Sequence, residues 1–360
     1  MIKKSTYLVQ GMFLFCASTL FAGEALTPIA YGVKSLGMGG VSIATPQGAE
    51  SGFENPALLS YLEGNEVSVG VTATNHSRSI DNSSIISYDP DDTYTPYLAL
   101  SYKLNKNFTI GALTSYYESQ SALTATGPYF SSTRIKRTRV IIPVSYKLNN
   151  FSIGVSAVAE KQKYDLYDTT TGAQDFSSTD YGYMIGLAYQ MPKQGITIAA
   201  NYKSKIDHSY FNINHYFHLS SPSELGVGIH WKIGNTHNSI GADYKRVKSS
   251  EIYGASNSLI KSSWFEDQNV YALGYSYDTE NWSARVGYRH VSSLYGDDRL
   301  DAWFPYVSSS NYTVGGTYNF NKNLSTDVAL VYAPYENTLG DGSTVTLDDT
   351  SLAVSMNYKF

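Results

Sequence analysis

Most of this sequence alternates between two kinds of side chain with a period of two residues. In the stretch LAVSMNYKF, every second residue from Leu352 onward is large and apolar or aromatic, and most of the residues between them are small or polar. Such alternation predicts β-strands with one apolar face. The opposite face is small or polar in strand after strand, and in several strands it carries charges. This pattern favours a transmembrane barrel, with lipid outside and a polar or filled interior, over a soluble sandwich.

A second regularity is a repeated turn. Short strings rich in Asn, Lys, Gly and Asp recur 40 to 46 residues apart, and each follows an aromatic residue. These aromatic residues are Tyr102, Tyr146, Tyr189, Trp231, Tyr277 and Tyr318, and Tyr358 stands in an equivalent place. Tight polar turns join antiparallel strands. Aromatic residues at one height around a sheet form the girdle of a membrane interface.

Longer connections rich in Ser, Asp and Tyr separate these short turns. They lie at about 75–93, 119–134, 166–178, 209–221, 250–266, 293–310 and 335–346. Six short turns and seven long loops require fourteen strands, and strict alternation of short and long connections is typical of bacterial outer-membrane barrels. An even number also lets the first and last strands pair antiparallel. We therefore predict an all-β, 14-stranded antiparallel transmembrane β-barrel over residues 63–360.

The first 25 residues have the layout of an export signal. Lys3 and Lys4 precede an apolar run that ends in small residues, which predicts a signal peptide cleaved after Ala22 or Ala25. Cys16, the single cysteine, lies inside it, so we expect no disulfide, thiolate metal site or cysteine nucleophile in the mature chain. Loss of the two lysines changes the formal charge from −5 to −7, which argues against nucleic acid as a partner.

Residues 26–62 do not alternate. This stretch is rich in Gly and Ala, has few charges and contains a usable apolar set, whereas disordered tails are usually more charged and less apolar. A segment this short cannot form a core of its own. A fourteen-stranded barrel is wider than the eight-stranded size that side chains alone can fill. We therefore predict that residues 26–62 form an N-terminal plug, or hatch, inside the lumen.

Two motifs carry a resemblance to a known family. Ser35-Leu36-Gly37-Met38-Gly39-Gly40, then Asn55-Pro56-Ala57 and fourteen strands, resemble the FadL family of outer-membrane long-chain fatty-acid and hydrocarbon transporters. The strings SPSELGVGIHWKI and YALGYSYDTENWSARVGYRH extend the resemblance over most of the mature chain. It implies passive uptake of hydrophobic molecules, above all long-chain fatty acids, through capture at the loops, plug movement and lateral exit through the barrel wall. It also implies plug and gating roles for Gly37, Gly39, Gly40, Asn55, Pro56 and Ala57.

Strand parity places a set of charged residues on the lumen face. They are Arg137, Arg139, Glu160, Lys203, Lys205, Asp243, Lys245, Arg285, Arg289 and Asp327. Either these residues pair with one another and hydrate the interior, or one or two cations bind the carboxylate of an amphiphile whose tail lies on apolar residues. Arg285 is our first candidate for such a cation, because it lies in the Arg-x-Gly-Tyr string that the family resembles. Lys203 is the second, and Arg137 and Arg139 complete the set.

No catalytic motif stands out, and we expect no enzyme activity, metal or other cofactor. His208, His215 and His218 share one predicted loop, but no carboxylate or cysteine completes a ligand set at useful spacing, so we interpret them as solvated loop residues. The expected partners are a long-chain fatty acid or similar hydrophobic ligand, outer-membrane lipid and, during biogenesis, the barrel-assembly machinery. We expect a monomer in the outer membrane of a Gram-negative bacterium.

Two alternatives to a transporter of hydrophobic molecules remain open. A general porin for small hydrophilic solutes would need an open lumen, which a plug excludes. A structural or adhesive surface barrel would use its Tyr- and Ser-rich loops to bind host or neighbouring cells.

Overall fold

Fourteen antiparallel strands close into one ring. The computed structural model describes residues 23–24, 27–81, 85–87, 91–125, 130–168, 172–212, 215–254, 265–294, 308–338 and 344–360. The strands of the ring are β1 (Glu66–Asp81), β2 (Thr93–Lys103), β3 (Phe108–Ala125), β4 (Phe130–Leu148), β5 (Phe151–Asp168), β6 (Gly172–Met191), β7 (Ile196–Lys203), β8 (Glu224–Lys232), β9 (Asn238–Val247), β10 (Gln268–Asp278), β11 (Trp282–Val291), β12 (Ser310–Asn319), β13 (Leu324–Thr338) and β14 (Thr344–Lys359). Each strand pairs with the next, and β14 pairs with β1 from Thr344↔Asp81 to Lys359↔Glu66. The predicted 14-stranded antiparallel barrel is confirmed.

The large apolar side chains face outward. In β4, Val140, Ile142 and Val144 are exposed, whereas the intervening Ile141 and Pro143 are buried. An exposed apolar band of this kind contacts lipid in a membrane barrel. The inner face carries Ser, Thr, Gly and most of the buried charges.

The six short turns lie where the sequence predicts them, after Lys103, Leu148, Met191, Lys232, Asp278 and Asn319. Aromatic side chains gather beside them. The rings of Phe108 and Tyr146 are 4.7 Å apart, and those of Tyr277 and Trp282 are 5.6 Å apart. Tyr102, Tyr189, Trp231, Tyr318 and Tyr358 are exposed on the outer surface. This end of the barrel therefore carries the aromatic belt that a periplasmic membrane interface requires.

Two of the long connections, on one side of the barrel, contain fewer residues than predicted. Strand β3 continues to Ala125 and β4 starts at Phe130, inside the predicted loop 119–134, and β5 and β6 occupy most of the predicted loop 166–178. The prediction failed because the outer face of these extensions is polar, as at Asp175, Ser177 and Thr179, so the apolar alternation stops before the strand does. Strands β3–β6 have 18 to 20 residues, and β7–β12 have 8 to 11.

Short elements lie between the barrel strands. Ile85–Ser87 pairs with β3, and the predicted loop 209–221 contains a hairpin of Ser209–Asn212 and His215–Leu219, which continues to Tyr253–Gly254. A 3-10 helix spans Ser249–Glu251. The predicted loops 250–266 and 293–310 lie partly outside the described residues.

Residues 29–62, which we call the N-terminal segment, pack against the strands from within. The segment contains the helix α1 (Val33–Leu36) and 3-10 helices at Ala49–Phe53 and Pro56–Tyr61. Helix α1 contacts β12–β14, Ala49–Phe53 contacts β1–β3, and Pro56–Tyr61 contacts β3–β6. A segment that touches strands on opposite sides of a closed ring lies inside it.

The residues before this segment form one small element. Gly23–Glu24 pairs with Thr27–Pro28, and the proposed signal peptide up to residue 22 lies outside the described residues. Among the residues that the structure describes, no helix has the length and apolar character needed to cross a membrane.

Candidate functional site

The N-terminal segment turns sharply at two glycines. Gly39 and Gly40 have φ values of 72° and 87°, which glycine adopts without steric cost. The N–H of Gly39 donates to Oγ1 of Thr313 in β12 at 2.9 Å. Nearby, a Cβ added to Gly37 would lie 3.0 Å from Cα of Gly315. The three glycines thus allow the backbone of the segment to lie directly on the wall.

Asn55 holds the second turn of the segment. Its Oδ1 accepts from the N–H of Ala57 at 3.0 Å, and its Nδ2 donates to the carbonyl oxygen of Ile43 at 2.8 Å. Pro56 stands at the start of the 3-10 helix, where a missing N–H costs nothing. The carbonyl of Ala57 accepts from Oγ of Ser152 in β5 at 2.8 Å.

Glycines in the strands receive the segment. A Cβ on Gly154 would overlap the backbone of Ala57, and a Cβ on Gly287 would overlap the backbone at Met38 and Gly39. Sequence reasoning missed this role of the strand glycines. The available signal was a glycine at an inward-facing position of an alternating strand, which indicates close approach of another backbone.

Glu54 links the segment to neighbouring strands. Its carboxylate lies 2.7 Å from Nζ of Lys203 in β7 and 3.2 Å from Nζ of Lys245 in β9, and its carbonyl accepts from Asn201 at 2.7 Å. Glu224 of β8 lies 3.1 and 3.8 Å from the same two ammonium groups. Burial alone would raise the pKa of Glu54, but Lys203 and Lys245 together lower it to about 2. Glu54 is therefore ionised at neutral pH.

Lys34 of α1 lies among carboxylates on the other side of the lumen. Its Nζ is 3.6 Å from Glu50 and 3.7 Å from Asp327 of β13. Glu66 of β1 accepts from the N–H of Ala49 at 3.3 Å. Burial raises the pKa of Glu50 to about 7; Lys34 opposes this shift, and Glu66 and Asp327 add to it. Glu50 thus titrates near neutral pH.

Arg137 and Arg139 are engaged by Glu160 and its neighbour Gln162. Nε of Arg139 donates to Glu160 at 2.7 Å, and Nε of Arg137 donates to Gln162 at 2.5 Å and lies 3.7 Å from Glu160. Gln162 in turn donates to the hydroxyl of Tyr210 at 2.8 Å. Gln162 therefore fastens the hairpin that begins at Ser209 to the inner face of β5, and Arg137 holds Gln162 in place.

His208 is buried, so its interpretation as a solvated loop residue is wrong. Its Nε2 lies 3.0 Å from Glu160 and its Nδ1 lies 2.9 Å from Asp180. These carboxylates come from β5 and β6 and could not be found by local spacing. His218 lies 3.4 Å from Asp207, and the side chain of His215 is outside the described residues. No group of three or more His, Cys, Asp or Glu side chains among the described residues is arranged to hold a metal ion.

Arg285 lies at the short-turn end of the lumen. It lines a cavity of about 430 Å³ together with Lys34, His230 and Lys359. Its guanidinium donates to Oγ1 of Thr317 at 2.7 Å and lies 3.6 Å from Asp278.

The four candidate cations do not converge on one site. Arg137 and Arg139 bind Glu160, Lys203 binds Glu54, and Arg285 lines the cavity at the short-turn end. The prediction that Lys205 faces the lumen is wrong: it follows the end of β7, and its side chain is 39 % exposed beside Asp207.

A cluster of apolar and aromatic side chains lies between the N-terminal segment and strands β2–β6. The ring of Tyr31 stacks on Phe53 at 4.8 Å, and Phe53 meets the edge of Tyr97 in β2 at 5.9 Å. Leu113, Ile141, Val158, Met184 and Ile206 belong to the same buried cluster. Further toward the long-loop end, the ring of Phe176 lies 6.2 Å from Tyr164 and 5.9 Å from Tyr210.

Comparison with known families agrees with this architecture. Residues 29–356 match the model of the outer membrane protein transport protein family (OMPP1/FadL/TodX). The chain belongs to this family. The resemblance inferred from the glycine turn and Asn55-Pro56-Ala57 is thereby confirmed, and so is the outer-membrane location. A curated relative, outer membrane protein P1 of Haemophilus influenzae, is 23 % identical over 286 residues, which make up 64 % of this chain and 60 % of the relative. The matched region thus spans about three fifths of that protein's length.

Solved structures show the same fold. The toluene transporter TodX of Pseudomonas putida has a TM-score of 0.72 at 17 % identity, covering 95 % of this chain and 100 % of that one. The toluene transporter TbuX of Ralstonia pickettii has a TM-score of 0.69 at 18 % identity, covering 92 % and 98 %.

Proposed function

We propose that this family member takes up hydrophobic molecules passively across the outer membrane, with long-chain fatty acids as its main ligands. The long loops capture the ligand, the N-terminal segment moves as a plug, and the ligand leaves sideways through the barrel wall. In this proposal residues 1–25 are removed as a signal peptide, residues 26–62 are the plug, and the protein acts as a monomer without enzyme activity. Outer-membrane lipid receives the ligand, and the barrel-assembly machinery inserts the chain.

The docking of the N-terminal segment across the lumen carries this proposal. The turn at Gly39 and Gly40 binds one side of the ring, and the Asn55-Pro56-Ala57 turn binds the other. A general porin needs an open, hydrated lumen, whereas this segment buries Val41, Ile43 and Leu58 completely. A docked, apolar segment supports a gated route over an open pore.

The charge distribution supports exit into the membrane. The cavity at the short-turn end is lined by Lys34, His230, Lys232, Glu66 and Asp278, and an apolar solute gains nothing by entering such a site. The apolar cluster around Phe53 and Leu113 lies against the wall instead. A ligand there is separated from lipid only by the strands.

An interruption of the β3–β4 ladder supports a position for the exit. Residue pairing runs to Ile110↔Val144 and resumes at Leu113↔Ile141, so Gly111 and Ala112 are skipped. Pro143 stands opposite and has no N–H to donate. A Cβ on Gly111 would lie 2.8 Å from Cγ of Pro143 and 3.2 Å from Cδ1 of Leu59 in the segment. Movement of Leu59 would uncover this interruption.

Monoaromatic hydrocarbons are a second candidate ligand class. TodX and TbuX are toluene transporters. In this protein the rings of Tyr164 in β5, Phe176 in β6 and Tyr210 in the hairpin that begins at Ser209 form an aromatic group. Fatty acids remain the first candidate because buried cations face the lumen. A neutral hydrocarbon cannot form an ion pair with them.

Uptake and conductance measurements test the proposal. Cells that lack their own fatty-acid uptake should accumulate labelled oleate when they express the protein, and labelled toluene should compete if the second class applies. In planar bilayers the intact protein should conduct poorly, and deletion of residues 26–57 should raise the conductance. Open-pore conductance by the intact protein would support the porin, and normal fatty-acid uptake after loss of the gene would support a structural or adhesive role.

A further inference from the structure

Glu54 occupies a place that the carboxylate of a ligand can take. We propose that the carboxylate of an anionic amphiphile, such as a fatty acid, replaces Glu54 between Lys203 and Lys245, and that this exchange releases the N-terminal segment. The inference rests on the proposed function and adds the step that couples ligand binding to plug movement.

The geometry of the site is that of a two-lysine clamp. Lys203 and Lys245 reach the Glu54 carboxylate from two strands, at 2.7 and 3.2 Å, so each of its oxygens faces one ammonium group. Glu224, on the strand between, stands directly opposite Lys203 in the ladder. The wall alone thus supplies two cations and one carboxylate, and the segment supplies the second carboxylate.

Charge balance makes the departure of the segment depend on another anion. With Glu54 in place the two lysines are matched by two carboxylates. If Glu54 leaves, Glu224 is the only one of these two carboxylates that still lies beside the two ammonium groups, and breaking a largely buried ion pair is strongly unfavourable. Asp243, the next carboxylate on β9, accepts the backbone N–H groups of Ser42 and Ile43 at 2.7 and 2.9 Å, so it too is engaged by the segment.

A carboxylate on an apolar chain fits this place. The side chains of Lys203 and Glu54 each keep about a tenth of their surface exposed, so the clamp is not sealed. Lys203 stands opposite Met184 in the β6–β7 ladder, and Met184 and Ile206 belong to the apolar cluster. A ligand whose carboxylate lies on the lysines can therefore place its tail on apolar side chains. A neutral hydrocarbon of the same length can make only the apolar contacts.

Accessibility of a buried thiol tests the exchange. Ser60 of the docked segment is 2 % exposed, and its hydroxyl lies 2.7 Å from that of Ser152 in β5. A Ser60→Cys reporter in a Cys16→Ser background therefore reacts with a water-soluble maleimide only when the segment moves. Dodecanoate should speed this reaction roughly tenfold or more over dodecanol at equal concentration, as expected for a retained ion pair. Acetate, which has the carboxylate without the tail, should have no effect.

Substitutions at the clamp identify the residues. Lys203→Gln and Lys245→Gln, each made separately, should abolish the difference between dodecanoate and dodecanol. Glu54→Gln should raise the rate without any ligand. Glu50→Gln is the matched control, because Glu50 is a buried carboxylate of the same segment that faces Lys34 rather than the clamp, and it should preserve the difference. Heat-modifiable mobility on gels confirms that each barrel is folded.

The outcomes separate this inference from the proposed function. Equal acceleration by dodecanoate and dodecanol, or a dodecanoate effect that survives both lysine substitutions, overturns the exchange. If cells still take up dodecanoate in that case, the transport function stands. If cells take up neither compound and neither speeds the labelling, both the exchange and the proposed function are overturned.

Discussion

The side-chain amide of Asn55 donates to the carbonyl oxygen of Ile43 across 2.8 Å and so joins two turns of the N-terminal segment that are twelve residues apart. Asn55 is fully buried, and its Oδ1 also caps the next helix through the N–H of Ala57. The Asn55 side chain therefore stabilises the fold of the segment where the segment packs against the barrel wall.

Replacing Asn55 by Ala should loosen the segment and leave the barrel intact. The change removes a cap and leaves buried backbone groups without partners, a cost of about 1–3 kcal/mol to docking. Ion conductance in planar bilayers should rise, while heat-modifiable mobility stays normal. Asn105→Ala is the control, because Asn105 makes the same kind of contact, to the N–H groups of Asn107 and Phe108, in an exposed turn. Equal conductance of the two variants would contradict the assigned role.

Adding one methyl group at Gly287 should displace the glycine turn of the segment. A Cβ there meets the backbone of Met38 and Gly39, and backbone cannot yield as a flexible side chain can. The Gly287→Ala variant should show raised conductance and faster proteolysis of the segment. Gly64→Ala is the control, because the nearest atom to a Cβ there is the carbonyl oxygen of Phe360 at 3.9 Å, and this variant should behave as the unmodified protein does. Unchanged conductance for Gly287→Ala would show that the docking is not tight.

Docking of the segment should depend on pH through two carboxyl groups, Glu50 and Glu54, whose pKa values are shifted in opposite directions. The pKa of docked Glu50 is about 7 against an ordinary value of 4.5, so the docked state holds the extra proton and docking weakens as pH rises from 4.5 to about 7. The pKa of docked Glu54 is about 2, so docking weakens as pH falls from 4.5 toward 2. Conductance should therefore be lowest near about pH 4.5 and rise on both sides. Glu50→Gln should remove the rise toward neutral pH, and Glu54→Gln should remove the rise toward acid.

Closing the interrupted ladder should block the lateral exit. Ala112 and Ile142 are exposed on the outer face at the interruption, and a disulfide between cysteines at these two positions would join β3 to β4 there. The oxidised Ala112→Cys, Ile142→Cys variant should lose most fatty-acid uptake, and reduction should restore it. Thr114→Cys with Val140→Cys is the control, because these residues are already paired in the ladder. Full uptake by the oxidised test pair would place the exit elsewhere.

Local chemistry made the wall of this protein predictable. The alternation around Leu352 and the polar turns after Tyr102 and Tyr318 depend on neighbours only a few residues away, because strand pleat and tight turns have short periods. The predicted loops 119–134 and 166–178 contained too many residues, because the prediction depended on apolar alternation. A strand with two polar faces has no such alternation. The lack of alternation in residues 26–62 predicted a segment separate from the wall, and the role of that segment as a plug stays a prediction.

The sequence by itself determined a closed ring of fourteen strands, its apolar outside and its family, because the spacing of residues along one chain encodes all three. Only the tertiary structure decided the partners of the buried charges. Glu54 and Lys203 are 149 residues apart, and His208 lies between carboxylates of two strands that precede it in the chain. Such contacts depend on how a ring closes around a folded segment. No local spacing specifies which inward-facing lysine, arginine or histidine will meet which carboxylate.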